Sequence, residues 1–160
     1  MEIERLIDDY AACPAALRKA VQGLTKEQLD AHPAPGRWSI REVVAHLADF
    51  EPISTDRIKR VIAFDNPVLM NADENAFAAR LAYSQRDVEE DLVVIESLRK
   101  HTARILRTLS DADFQRVGEH STDGPLTLEQ LLKRVTRHFP HHIAFIEEKR
   151  RALGVQDQRS

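Results

Sequence analysis

Apolar residues recur at i, i+3, i+4 and i+7 along four long stretches of the chain, the spacing of amphipathic helices. The first stretch takes Ile3, Leu6, Ile7, Tyr10, Leu17, Val21 and Leu24, with Gly23 as its stop signal. Pro14 inside it predicts a kink or a break near residues 11–13. The second opens at Ser39, where Ser39 and Glu42 form the sequence of a capping box. It continues through Ile40, Val43, Val44, Leu47, Phe50, Ile58, Val61 and Ile62, with Pro52 expected to bend it. The third carries Val88, Leu92, Ile95, Leu98, Thr102, Ile105, Leu106 and Leu109 on one face. The fourth begins with a second capping box, Thr127 to Gln130, and runs through Leu131, Leu132, Val135, Ile143, Ile146 and Lys149 to Gly154. Short helical turns are expected at residues 25–30, 71–80 and 110–115, each opened by a capping residue.

Four helices with one apolar stripe each can bury those stripes together only as a bundle. The expected fold is therefore all-α, a four-helix bundle. The connection from about residue 64 to residue 83 is long enough to run the length of the bundle, which predicts a crossover between the second and third long helices. Residues 1–155 read as a single domain and residues 156–160 as a polar tail.

Composition narrows the function classes. The 160 residues hold 23 Lys+Arg against 26 Asp+Glu, a net charge of -3, which offers no basic footprint for nucleic acid. No apolar run approaches the roughly 20 residues of a membrane span. Cys13 is the single cysteine, so no intramolecular disulfide forms, and the acidic start lacks the features of a signal peptide. A cytoplasmic protein is the expectation. The five glycines are scattered and make no phosphate loop, and the Gly-x-Ser-x-Gly pattern of serine hydrolases is absent. Cys13 beside Pro14 reads as a buried, inert thiol. The charge runs at residues 86–91 and 147–151 read as solvated helix faces.

Seven histidines remain to be explained. His138 and His142 differ by roughly 40° around a helix and by about 6 Å along it, so both can aim at one point. Taking Leu128, Leu132, Val135 and Ile146 as the core stripe, His142 lies inside it and His138 at its edge, while His141 points to solvent. His46 sits at the border of the second helix's stripe. Buried imidazole nitrogens need partners, which a neighbouring helix, a water or a shared metal ion can supply. Spacing alone leaves all of these open.

The segment GRWSIREVVAHLADFE (Gly36 to Glu51), together with GPLTLEQLLKRVTRHFPHHIAFIEE (Gly124 to Glu148), resembles the DinB/YfiT-like superfamily of small bacterial four-helix-bundle proteins. The likeness extends to Pro14 and spans nearly the whole chain. It implies a divalent-metal site made by one histidine of the second helix and a His-x-x-x-His pair of the last, positions that match His46, His138 and His142. It also implies a pocket or supporting role for His120. Pro140, between the paired histidines, is expected to alter their mutual angle.

Three neutral imidazoles suit Zn, Ni or Fe and leave a coordination position open. The resemblance implies either hydrolysis or transfer of a low-molecular-weight thiol onto an electrophile, with a small-molecule substrate and no protein nucleophile. Glu42 and Asp49, one turn from His46, are candidates to orient its ring, although their wheel positions face the polar side. Trp38 reads as an anchor for the preceding loop. Asn71, Asp73, Glu74 and Asn75 in the crossover could cover one end of the bundle. The competing expectation is a non-catalytic bundle acting through a homodimer or a protein partner, with any metal structural or adventitious.

Overall fold

The computed structural model describes residues 2–33 and 37–155; residues 34–36 of the expected loop and the polar tail at 156–160 lie outside the described residues. The four long helices are α1 (Glu2–Val21), α3 (Ile40–Ala63), α5 (Val88–Leu106) and α6 (Leu128–Ala152). Two short ones, α2 (Lys26–Asp30) and α4 (Glu74–Arg80), lie in the connections. Both capping boxes form as read: the Ser39 hydroxyl accepts the Glu42 amide while the Glu42 carboxylate accepts that of Ser39, and Thr127 and Gln130 do the same.

Each of α1 and α3 packs against both α5 and α6. The successive long helices α1 and α3 are therefore diagonal partners, not neighbours, and the order is not a simple up-down-up-down one. Residues 64–87 carry the chain from α3 to α5. That segment is pinned by a small sheet absent from the sequence reading. β1 (Val68–Leu69) pairs parallel to β2 (Val117–His120), which pairs antiparallel to β3 (Gly124–Thr127). Strands of two and four residues are too short to show a period of two. Gly118 lets the sheet lie on the bundle, since a Cβ there would stand 2.8 Å from Val61 Cγ2 and 2.9 Å from Leu69 Cδ1.

The three helix prolines do not break their helices. Proline removes the N–H that would bond the carbonyl four residues back, and the core supplies replacements at two of these places. Tyr10 O, left free by Pro14, accepts from Arg99 Nη1 at 2.9 Å, and Thr136 O, left free by Pro140, accepts the Cys13 thiol at 3.7 Å. Of the kink or break expected at residues 11–13, the break is corrected accordingly, since α1 runs through them.

Arg99 is fully buried and pairs with buried Glu51 at 3.0 Å, whose other oxygen accepts the Tyr10 hydroxyl at 2.9 Å. Its guanidinium carbon lies 3.8 Å from the Phe139 ring centre and 4.3 Å from that of Tyr10. This polar layer separates an apolar cluster around Leu17, Leu47 and Ile146 from a second one around Ile58, Leu106 and Leu132. The charge runs read as solvated faces are corrected too. Asp91 is buried and bonded to Arg86, while Lys149 and Arg150 are buried and Arg150 Nη1 donates to Ala20 O and Gln22 O, capping the end of α1.

Candidate metal centre

The Ser39 cap sets the phase of α3 so that His46 faces the bundle interior, where it is 1% exposed rather than at a border. From α6, His142 enters the same space nearly buried, and His138 is half-buried beside it. His138 Nε2 lies 3.2 Å from His46 Nε2 and 3.0 Å from His142 Nε2, and one nitrogen from each ring falls within 4.8 Å of the others. Among the described residues this is the one such group of histidine, cysteine and carboxylate side chains.

Hydrogen bonding within the trio does not satisfy it. A neutral imidazole nitrogen has either one proton or one in-plane lone pair, yet two nitrogens face His138 Nε2. Protonation is opposed as well. Burial lowers the pKa of His46 to about 4 and those of His138 and His142 to about 3, with mutual repulsion adding to the shift for the last two. Three neutral rings therefore converge at neutral pH, each able to turn a lone pair to the others in the tautomer that carries its proton on the far nitrogen. Four ligands each about 2.05 Å from a tetrahedral ion stand about 3.3 Å apart, close to the two observed contacts. Two of the three separations thus match ligands of one divalent ion, the third is at most 4.8 Å, and the donor set suits such an ion.

Trp38 packs its ring 5.0 Å from that of His46, with Phe50 on another side at 5.7 Å. Glu42 is committed elsewhere, to the Ser39 amide and to His32. Asp49 does not bond His46 either. It pairs with Arg86 at 3.0 Å, although its charge opposes the lowering of the His46 pKa. His120 is buried in β2, where its Nδ1 contacts the Thr122 hydroxyl and Asp123, outside the trio. His32, His101 and His141 are exposed. The carboxylate that does reach the trio is Glu74 of the crossover, with Oε2 3.8 Å from His46 Nε2 and its side chain 54% exposed. Helix phase could not have found it, because it arrives from another segment.

A family model described as the DinB superfamily matches residues 9–146. The chain belongs to the DinB superfamily. Among curated members, "Putative metal-dependent hydrolase YfiT" of Bacillus subtilis is 35% identical over 142 residues, covering 88% of this chain and 80% of that protein. A protein of the same descriptive name from Oceanobacillus iheyensis is 33% identical over 144 residues, covering 90% and 83%. The solved structure of Bacillus subtilis YfiT matches with a TM-score of 0.90 at 33% identity, over 96% of this chain and 89% of that one. It is described as "a probable metal-dependent hydrolase with an unusual four-helix bundle topology". The diagonal placement of α1 and α3 is thus shared by a DinB-type fold. No helix is long and apolar enough to cross a membrane among the described residues.

Proposed function

We propose that this protein is a metal-dependent hydrolase of small molecules in which His46, His138 and His142 hold one divalent transition ion, Zn, Ni or Fe. The observation that carries this reading is the convergence of three neutral imidazole nitrogens that cannot satisfy one another. A divalent ion in that place supplies Lewis acidity, polarising a carbonyl and drawing the pKa of water towards about 7. The three imidazoles contribute no negative charge, so the ion would keep its full electrophilic strength.

Glu74 supports the hydrolytic version. Its carboxylate, at the solvent side of His46, is placed to accept the proton of an attacking water. A thiol ionises outright when coordinated and has less need of that acceptor, so hydrolysis is preferred here to thiol transfer. Trp38 and Phe50 wall His46 off from solvent and hold its ring in place. Cys13 supplies no nucleophile, since it is buried, burial raises its pKa, and it contacts Asp9 O and Thr136 O. Val93 and Val94 are exposed on α5 and favour a homodimer, but that contact would leave the histidine trio unexplained.

Elemental analysis of protein purified without an affinity tag tests the proposal. Near-stoichiometric transition metal is expected, together with hydrolysis of activated esters or amides that is lost on chelation and does not require added thiol. Absence of metal after growth with supplemented Zn, Ni and Fe, or turnover only with a low-molecular-weight thiol, would overturn it.

A further inference from the structure

Beside His138, between α3 and α6, opens a groove of about 430 Å³, within the size range of small-molecule sites. Its apolar wall is Phe50, Leu131 and Val135, and its lining includes three arginines, Arg57, Arg134 and Arg137, and no carboxylate. The chain as a whole carries a net charge of -3, so this local excess of positive charge is a property of the groove.

Arg57 is the decisive residue. It is 6% exposed, and its Nε and Nη2 donate to the carbonyl of Met70, a neutral acceptor. No carboxylate lies within ion-pairing distance of it among the described residues, and Nη1 is left uncommitted. A buried cation without a direct ion pair is costly, and burial, with the nearby Arg134 charge, lowers its pKa against the more distant carboxylates of Asp123 and Asp56. Arg134 is paired with Asp123 at 2.6 Å, whereas Arg137 is exposed at the mouth with no ion pair among the described residues. The Phe50 ring bridges the two ends of the groove, its centre 5.7 Å from Arg57 Cζ and 4.7 Å from the His138 ring centre.

We propose that this groove selects a small substrate that carries a carboxylate on an apolar body. The carboxylate takes Arg57 Nη1, with Arg137 attracting it at the entrance. The body lies on Phe50, Leu131 and Val135, and the bond to be cleaved points towards the histidine trio. The orientation rests on the hydrolase reading; the preference for a carboxylate does not.

Calorimetry with phenylacetate, its neutral analogue phenylacetamide and phenylphosphonate tests this on both the metal-loaded and the chelator-stripped protein. In both forms phenylacetate should bind about tenfold tighter than the amide, and Arg57→Gln should reduce the ratio to about twofold while leaving the amide's affinity unchanged. Arg57→Lys should restore part of the preference. Equal binding of the two, or a preference that survives Arg57→Gln, including one present only with metal, overturns the proposal. Tighter binding of phenylphosphonate that also depends on Arg57 overturns the carboxylate class. If Arg57→Gln does not fold, ionic strength provides the second readout on the native chain. Salt should weaken phenylacetate and spare the amide, and an equal response overturns the proposal. A protein that takes up no Zn, Ni or Fe when supplied with them yet keeps the preference refutes the hydrolase reading alone.

Discussion

His138 and His142 bring their Nε2 atoms to 3.0 Å from one another although Pro140 stands between them in α6. Thr136 O, which Pro140 cannot serve, faces the Cys13 thiol of α1 at 3.7 Å, where it competes with Asp9 O at 3.2 Å for the one thiol proton. Cys13→Ala should therefore destabilise the fold by about 1–2 kcal/mol, since it leaves a buried carbonyl unpaired and removes a small packed group. In a Pro140→Ala background the backbone N–H returns and the same change should cost about 0.5 kcal/mol less or better. Denaturant unfolding of the four proteins of this cycle measures the coupling, and strict additivity would refute the link.

The proposed metal ligands can be told apart from their neighbours. Replacing His46, His138 or His142 by Ala should each lower bound metal well below one equivalent. His141→Ala should leave it unchanged, since that ring is exposed and turned towards Phe145. Plasma emission analysis of the dialysed variants decides this. A loss in His141→Ala equal to that in His142→Ala would contradict the arrangement of α6.

Glu74→Gln keeps the shape of the side chain and removes its charge. With the carboxylate only 3.8 Å from His46 Nε2, retained metal should be held more weakly by a small factor, while hydrolysis falls by about 10²-fold or more, the usual contribution of a positioned base. Chelator competition and rate measurements on the same preparation separate the two effects. Unchanged turnover would remove Glu74 from the site.

The buried pair in the core should behave as a unit. Arg99→Met leaves Glu51 charged, buried and bonded only to Tyr10, and should cost about 3–5 kcal/mol. The double variant Arg99→Met, Glu51→Met should be less destabilised than the single one, because the orphaned charge is gone. Urea unfolding tests both.

Much of this architecture is legible in the chain, for reasons that also set the limit. Helix starts are local chemistry, so Ser39 with Glu42 and Thr127 with Gln130 announced themselves. The pairing of His138 with His142 follows from helix geometry, and their approach to His46 from the family resemblance. Glu51 and Arg99 also had a readable signal. Glu51 follows Leu47 at i+4 and Arg99 follows Ile95 at i+4, so two opposite charges occupy apolar stripes. Reading charges as solvent-facing by default hid them, as it hid Asp91 and Arg150. The sheet and the approach of Glu74 depend on long-range pairing between the crossover and other segments, which periodicity within one helix does not record.

Acid should weaken the metal-free protein more steeply than its carboxylates alone would. His46, His138 and His142 have folded pKa values of about 4, 3 and 3 against an ordinary 6.5, so below pH 6.5 the unfolded chain binds more protons than the folded one. Stability is then fully present above pH 6.5 and is lost as the pH falls towards the folded values, by at most about 1.4 kcal/mol per pH unit for each histidine. His120, also lowered by burial, acts in the same direction, so a His46→Ala, His138→Ala, His142→Ala variant should show a shallower fall and not a flat line. Thermal melts of stripped protein between neutral pH and pH 5 give the slopes. If the native chain and the triple variant lose stability in parallel, the three rings are not held neutral by the fold.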